Sequence, residues 1–153
     1  MSELVPARPV VTVATVVERD GRFLLVEEET RAGIRLNQPA GHLEPAESIV
    51  AAAVRESLEE TGWRVEPTAL VGIYRWTTPE TGATFVRFTF AAAAHAHDAA
   101  RPLDRGILRA LWMTYDEIAQ RSADHRSPLV LRCVDDYRAG IRWPLDLVRE
   151  IAT

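Results

Sequence analysis

Three carboxylates, those of Glu56, Glu59 and Glu60, follow Arg55 closely in the sequence. An α-helix turns about 100° per residue, so a helix would hold these carboxylates on one face. Like charges at this spacing destabilise a helix, and the cluster therefore needs a compensating cation. Carboxylate oxygens are the ligands that Mg²⁺ and Mn²⁺ prefer, and both ions also bind phosphate oxygens. The pattern predicts a divalent-metal site, and the alternative is a solvated acidic face.

The residues around this cluster favour the metal site over the solvated face. Gly41 and Gly62 lie at the two ends of the segment. Glu47 lies eight residues before Arg55, at a spacing where an ion pair could fix the orientation of the arginine. The opposite face of the predicted helix carries aliphatic residues that could pack on a core. One face could thus anchor the helix while the other concentrates negative charge.

The segment from Gly41 to Trp63 resembles the Nudix box, G-x5-E-x7-R-E-U-x-E-E-x-G-U, in which U is a bulky apolar residue. Every fixed position is filled, by Gly41, Glu47, Arg55, Glu56, Glu59, Glu60 and Gly62. Ser57 is a poor match, because it stands where the first U is expected. Its hydroxyl would need a partner, such as a backbone carbonyl one turn back.

The resemblance covers about residues 8–150 and is greatest to the NudJ-type phosphatase subfamily. It implies an α/β (α+β) Nudix fold, an α/β/α sandwich with a central mixed β-sheet. It also implies hydrolysis of nucleoside tri- and diphosphates, or of the pyrophosphate of the thiamine pyrimidine precursor (hydroxymethylpyrimidine pyrophosphate). Mg²⁺ is the implied cofactor, with Mn²⁺ as a substitute.

The resemblance also implies roles for the residues of the box. The implied metal ligands are the side chains of Glu56, Glu59 and Glu60 and the carbonyl of Gly41. Arg55 would orient the metal-binding carboxylates, Glu47 would fix Arg55, and either Glu56 or Glu59 would be the general base. Many Nudix enzymes carry a further metal-binding glutamate where this chain has Gly106, six residues before Trp112. Asp104 or Glu117 could replace it; otherwise a two-metal site, or a metal held mainly by the substrate, is expected.

Arginine, aromatic and amide side chains outside the box are the candidates for substrate contacts. They are Arg87, Trp76, Tyr74, Gln38, Arg35 and Arg126. Arg87 lies between two phenylalanines of a predicted strand, so an inward-facing guanidinium would need an anion, either a substrate phosphate or a carboxylate. Trp76 and Tyr74 alternate on one strand and could stack on a base, with core packing as the alternative.

Composition limits the class of function. The chain has 153 residues, with 47% hydrophobic and 26% charged residues, which fits a single globular domain over 1–153. Lysine is absent, which excludes a lysine nucleophile and leaves phosphate binding to arginine. The net charge of −4 disfavours a polymeric nucleic acid as partner. Two rival functions remain, a nucleotide-sensing Nudix domain without turnover and an RNA 5′-pyrophosphohydrolase.

Cys133 is the single cysteine, so an internal disulfide is excluded and a buried, unreactive thiol is expected. The beginning of the sequence lacks the pattern of a signal peptide, and no stretch is apolar enough for a membrane span. These features favour a cytoplasmic protein that acts on small di- and triphosphates, as a monomer or a homodimer.

The predicted elements alternate between strands and helices. In the first half we expect strands over 10–17 and 22–28 joined by a hairpin at Asp20-Gly21, a loop over 30–37, and a helix that begins near 45–47 and ends at Thr61-Gly62. In the second half we expect strands over 68–77, 83–91 and 108–113, the end of a strand followed by a loop over 92–101, helices over 114–121 and 127–138, and a short strand or helical turn over 143–151.

Overall fold

A mixed β-sheet of seven strands forms the centre of the molecule, in a computed structural model that describes residues 8–152. The strands are Val10–Arg19 (β1), Arg22–Thr30 (β2), Gly33–Asn37 (β3), Ala40–His42 (β4), Trp63–Thr77 (β5), Thr84–His97 (β6) and Ile107–Thr114 (β7). The helices are Ile49–Thr61 (α1), Tyr115–Gln120 (α2) and Leu129–Arg138 (α3), with 3-10 turns at Ser122–Asp124 and Leu145–Leu147. The strand order is β3-β2-β1-β6-β5, with β4 paired to β1 and β7 to β2.

Helices cover both faces of this sheet. Strands β1 and β6 are parallel and the other pairs are antiparallel, so the sheet is mixed. Helix α1 packs Ala52 and Ala53 against a cluster that includes Phe90. Helix α3 packs Cys133 and Val134 against a separate cluster built around strands β1, β2 and β7. The predicted α/β sandwich with a central mixed sheet is confirmed, and the Cys133 thiol is buried as expected.

The sheet opens along β1. Strands β1 and β2 pair only beside their hairpin, at Glu18 with Phe23 and Arg19 with Arg22. Farther from the hairpin, the edge of β1 is paired with β4, while β2 pairs with β3 and β7. The sheet therefore separates into two wings, and side chains from both wings face the space between them.

The first half of the chain departs from prediction in two places. The predicted loop over 30–37 contains strand β3, whose Leu36 and Asn37 are buried against the rest of the fold. Helix α1 begins at Ile49, later than predicted, because Ala46 has a left-handed φ of 63° that no helix accepts. Ser48 caps the helix instead, and its Oγ accepts a hydrogen bond from the Ala51 amide at 3.0 Å.

The second half of the chain departs from prediction in an alanine-rich segment. Residues 92–101 are predicted as the end of a strand followed by a loop, and the structure places residues 92–97 in β6, paired with a β5 that begins directly after α1. Alanine favours strands only weakly, but pairing and burial override that preference here. Helices α2 and α3 confirm their predictions, and Thr114 and Glu117 form the expected capping box. The predicted element over 143–151 contains only the 3-10 turn Leu145–Leu147, after a bridge between Trp143 and Leu70.

None of the helices in residues 8–152 is long and apolar enough to cross a membrane.

Candidate active site

Helix α1 is held firmly at both ends and along its buried side. Gly62 ends it in the left-handed conformation, with a φ of 74°, and its amide donates to the Leu58 carbonyl. Ser57 Oγ lies 2.8 Å from the Ala53 carbonyl, the partner predicted for this hydroxyl, and 2.9 Å from Thr15 Oγ1. A polar residue is accommodated at this apolar position because its hydrogen bonds are made inside the protein.

Arg55 forms hydrogen bonds with acidic side chains on one face of helix α1. Its Nε and Nη2 donate to both carboxylate oxygens of Glu47, at 2.8 and 2.7 Å, so the expected ion pair is present and bidentate. Its Nη1 donates to Glu56 Oε1 at 2.9 Å and to Glu59 Oε2 at 3.1 Å, and Nη2 also donates to the His42 carbonyl. A planar guanidinium is suited to this arrangement, since its donors point in fixed directions.

A carboxylate cluster forms where the C-terminal half of α1 meets the loop before β7. Oxygens of Glu56, Glu59 and Asp104 all lie within 4.8 Å of one another. The backbone amide of Asp104 donates to the Glu59 carbonyl at 3.0 Å, which fixes the loop against the helix. Of the two replacements considered for the glutamate absent at Gly106, the structure brings in Asp104. Glu117 instead caps α2, where its carboxylate accepts from the Thr114 amide.

Gly41 fits closely against this cluster. It lies on β4, paired with Val13 of β1, and a Cβ added to it would lie 2.1 Å from the Glu56 carboxyl carbon. No larger residue could occupy this position without displacing Glu56. The absence of a side chain therefore lets the backbone and the carboxylate approach each other.

Burial dominates the electrostatics of Glu56 and Glu60. Removal from water raises the pKa of Glu56 above its ordinary value, although Arg55 opposes the shift. Burial raises the pKa of Glu60 to about 8, although its Oε1 accepts a hydrogen bond from the Ala40 amide at 2.8 Å. Neighbouring carboxylates add to both shifts. Burial therefore disfavours the charged forms of both carboxylates, and a bound cation would stabilise those forms.

A cleft of about 960 Å³ opens between the two wings of the sheet and is lined at one end by Gly41, which lies against the Glu56 carboxylate. Four of the six predicted substrate contacts line it, namely Arg35, Trp76, Arg87 and Arg126. The other two point elsewhere. Tyr74 donates through its hydroxyl to Asp136 Oδ2 at 2.8 Å, and Gln38 is buried behind the cleft wall.

Several further cleft residues were not predicted. Asn37 lines the cleft beside Arg87, Phe85 stacks on Trp76 with ring centroids 6.2 Å apart, and Glu28 lies on the facing wall. The pairing of β5 with β6 brings Phe85 opposite Trp76. The sequence offers one signal for Phe85. Residues alternate between the two faces of a strand, so Phe85 shares a face with Arg87.

An arginine-linked carboxylate cluster on a helix, set against a mixed sheet beside an open cleft, defines the Nudix hydrolase class of enzyme. A family model described as NUDIX domain matches residues 6–133, and the chain belongs to this family.

Relatives support the same assignment. The chain is 40% identical to the phosphatase NudJ of Escherichia coli strain K12 over 141 residues, which are 92% of this chain and 91% of that protein. It is similar to a solved NUDIX hydrolase from Nitrosomonas europaea, with 52% identity and a TM-score of 0.92, over 94% of this chain and 98% of that one. A UDP-X diphosphatase structure shares the fold at 16% identity and a TM-score of 0.72, over 92% of this chain and 68% of that chain. The predicted family is confirmed, and this chain is a NudJ-like Nudix hydrolase.

Proposed function

We propose that this hydrolase cleaves phosphoanhydride bonds of nucleoside di- and triphosphates, or of small pyrophosphates such as hydroxymethylpyrimidine pyrophosphate, with Mg²⁺ as cofactor and Mn²⁺ as a substitute. The observation that carries the proposal is the clustering of Glu56, Glu59 and Asp104 next to Gly41, which lines a cleft that also contains arginines. A metal-bridged phosphate chain is the ligand whose charges match both features.

The donor set fits a hard divalent cation. All of its side-chain donors are carboxylate oxygens, and their spacing allows one ion to contact several of them. Under this proposal the metal ligands are Glu56, Glu59, Glu60 and the Gly41 carbonyl, with Asp104 in place of the glutamate missing at Gly106. Bound Mg²⁺ would neutralise phosphate oxygens and lower the pKa of a water molecule, making hydroxide available near neutral pH.

Arg55 acts as a positioning residue in this mechanism. Because its Nη1 is shared by Glu56 Oε1 and Glu59 Oε2, it holds both carboxylates in one orientation and reduces their mutual repulsion. Glu47 in turn prevents Arg55 from rotating away. The oxygens not bonded to Arg55, Glu56 Oε2 and Glu59 Oε1, are left for the metal and for accepting the proton of the attacking water.

The rest of the cleft binds the remainder of the substrate. Arg35 and Arg126 line its rim, where guanidinium groups can contact a phosphate chain. Trp76 and Phe85 are stacked at an interplanar angle of 25°, which presents an aromatic surface for a base or a pyrimidine ring.

Turnover of a substrate panel tests the proposal. The purified protein is incubated with nucleoside di- and triphosphates and hydroxymethylpyrimidine pyrophosphate in ¹⁸O-labelled water, and the products are identified by ³¹P NMR and mass spectrometry. We expect release of phosphate or pyrophosphate with Mg²⁺ or Mn²⁺ and none with EDTA. Failure to hydrolyse any member of the panel, or equal turnover in EDTA, would contradict the proposal.

A further inference from the structure

A charged guanidinium is buried in the floor of the cleft. Arg87 is 6% exposed and lies on β6, where Thr12 of β1 pairs with it on one side and Tyr74 of β5 on the other. Its side chain lines the cleft. Burying a cation costs free energy unless an anion or a set of hydrogen-bond acceptors compensates it.

The partners of Arg87 are neutral. Its Nη1 donates to Gln38 Oε1 at 3.0 Å and its Nη2 donates to Asn37 Oδ1 at 3.1 Å. Its Nε is buried and has no hydrogen-bond partner. Within residues 8–152, no carboxylate lies close enough to Arg87 to form a salt bridge. The amides thus orient the guanidinium, but they leave its charge uncompensated.

The two amides are themselves anchored, so the guanidinium is held in position before any ligand binds. Gln38 Nε2 donates to the Val130 carbonyl at 2.7 Å, and Asn37 Nδ2 donates to Glu28 Oε1 at 3.4 Å. Of the five N–H donors of an arginine, these contacts with the amide oxygens use two. The remaining donors suit a tetrahedral oxyanion, which can accept several hydrogen bonds from one guanidinium.

We propose that Arg87 binds a phosphate oxyanion of the substrate at a subsite separate from the carboxylate cluster. Thr12 pairs with His42 on one side and with Arg87 on the other, so β1 lies between them. Strands are spaced about 4.8 Å apart, which places the Arg87 backbone about 10 Å from the His42 backbone. The subsite therefore takes a phosphate group that the metal cluster does not hold. This inference rests on the proposed function and extends it to the binding of the phosphate chain.

An oxyanion is favoured over a neutral acceptor on a substrate ring. A ring carbonyl or nitrogen would satisfy a donor but leave the buried positive charge in place, as Asn37 and Gln38 already do. Only an anion compensates the buried positive charge.

Binding of inorganic phosphate in EDTA tests this subsite without the metal site, because carboxylates without a metal repel phosphate, and the Arg87 variant separates it from Arg35 and Arg126. At ten times the dissociation constant, we expect phosphate to raise the melting temperature of the unmodified protein by roughly 3–6 °C over chloride of equal ionic strength. Arg87→Met should abolish this shift. Arg75→Met is the matched control, since Arg75 is exposed on β5 and does not line the cleft, and it should keep the full shift.

Asn37→Asp provides a second variant that does not depend on the folding of Arg87→Met. It places a carboxylate where the Asn37 amide now contacts Arg87 at 3.1 Å, and so supplies the missing counter-ion inside the protein. We expect its phosphate shift to disappear although the arginine remains. Phosphate binding by Arg87→Met or Asn37→Asp equal to that of the unmodified protein, or no shift in the unmodified protein, would overturn the proposal.

Kinetics separate this inference from the proposed function. For a substrate of the panel, Arg87→Met should raise KM by about 10–100-fold, as expected for loss of a charged contact, with the Mg²⁺ requirement unchanged. If Arg87→Met keeps the original KM while Glu59→Gln is inactive, the subsite is wrong and the hydrolase proposal stands. If neither change affects turnover, the proposed function itself fails.

Discussion

Two groups of buried charges in this protein differ in how far other protein groups compensate them. Behind the cleft, Glu27 accepts hydrogen bonds from Arg109 at 2.9 and 3.1 Å and from Arg121 at 2.9 Å. Its side chain is only 12% exposed, yet the hydrogen bonds from Arg109, then those from Arg121, hold its pKa at about 2. This carboxylate is fully compensated by its own protein.

The charges that face the cleft are not compensated in this way. Glu56 and Glu60 have raised pKa values because burial outweighs the cations near them. Arg87 has two neutral amides and an unpaired Nε. The carboxylates lie next to Gly41 at one end of the cleft and the Arg87 guanidinium lies in its floor, an arrangement complementary to a metal-bound phosphate chain.

Compensation by other protein groups therefore distinguishes charges that stabilise the fold from charges that are available to a ligand. Breaking the Glu27 network should therefore reduce stability and leave activity intact. Breaking the cleft charges should do the reverse, because little of the native stability depends on groups that repel each other or lack partners.

The largest expected effect comes from Glu59→Gln, which keeps the shape of the side chain and removes one charge from the cluster. We expect kcat with Mg²⁺ to fall by at least about 10³-fold, equivalent to about 4 kcal/mol in the barrier. The melting temperature should change little. Steady-state phosphate release and thermal denaturation of the same preparation measure both. Glu66→Gln is the control, because Glu66 is exposed on β5 and bonds only to His95 among residues 8–152.

Arg55→Lys should have the next largest effect. A lysine keeps the charge but cannot bond Glu47 through two donors while also holding Glu56 and Glu59. We expect the Mg²⁺ concentration for half-maximal activity to rise about 10–100-fold, the usual range for residues that orient metal ligands. A magnesium titration of activity measures it. An unchanged titration curve would show that Arg55 does not position the metal-binding carboxylates.

Glu27→Gln should lower the free energy of unfolding at neutral pH by about 1–2 kcal/mol. This loss is smaller than for a fully buried ion pair, because Arg109 and Arg121 are partly exposed. The folded-state pKa of Glu27 is about 2, below its ordinary value of 4.5. Its ionised form therefore stabilises the fold above pH 4.5, and this stabilisation is lost as pH falls toward 2. Urea denaturation from pH 2 to pH 7 should show the two proteins converging at the acidic end. Equal stability of the two proteins at pH 7 would contradict this account, and so would a loss of turnover in the variant.

The smallest effect is expected for Ser57→Ala. The change removes a hydroxyl bonded to Ala53 and Thr15, and it leaves the Thr15 hydroxyl without this partner. We expect a loss of about 1 kcal/mol in the free energy of unfolding, with kcat and KM within about twofold of the original. A large loss of activity with normal stability would mean that the buried face of α1 contributes to the cleft chemistry.

The sequence predicts the helix and its carboxylates well because the spacing of Arg55, Glu56 and Glu59 within one helix determines which side chains meet. It leaves Asp104 and Glu117 as alternatives for the missing glutamate, because the choice between them depends on a tertiary contact. The loop is fixed to α1 by backbone hydrogen bonds from Asp104 to Glu59 and from Asp98 to Gly62, and no local pattern encodes them.

The cleft shows the same limit. Alternation along a strand indicates that Tyr74 and Trp76 share a face, but it does not show where the cleft ends along that face. Helix α3 covers Tyr74 through Asp136, while Trp76 remains in the cleft beside Phe85. Strand β3 and the extension of β6 were missed for a related reason, since partner strands distant in sequence stabilise them.

Anomalous diffraction from crystals soaked in Mn²⁺ tests whether the carboxylates of helix α1 bind the metal, because it locates the ion without reference to turnover. We predict an anomalous peak in contact with the carboxylates of Glu56 and Glu59, and its loss in Glu59→Gln. An acidic face of α1 without a peak at millimolar Mn²⁺, or a peak bound only to acids outside the cleft, would contradict the account.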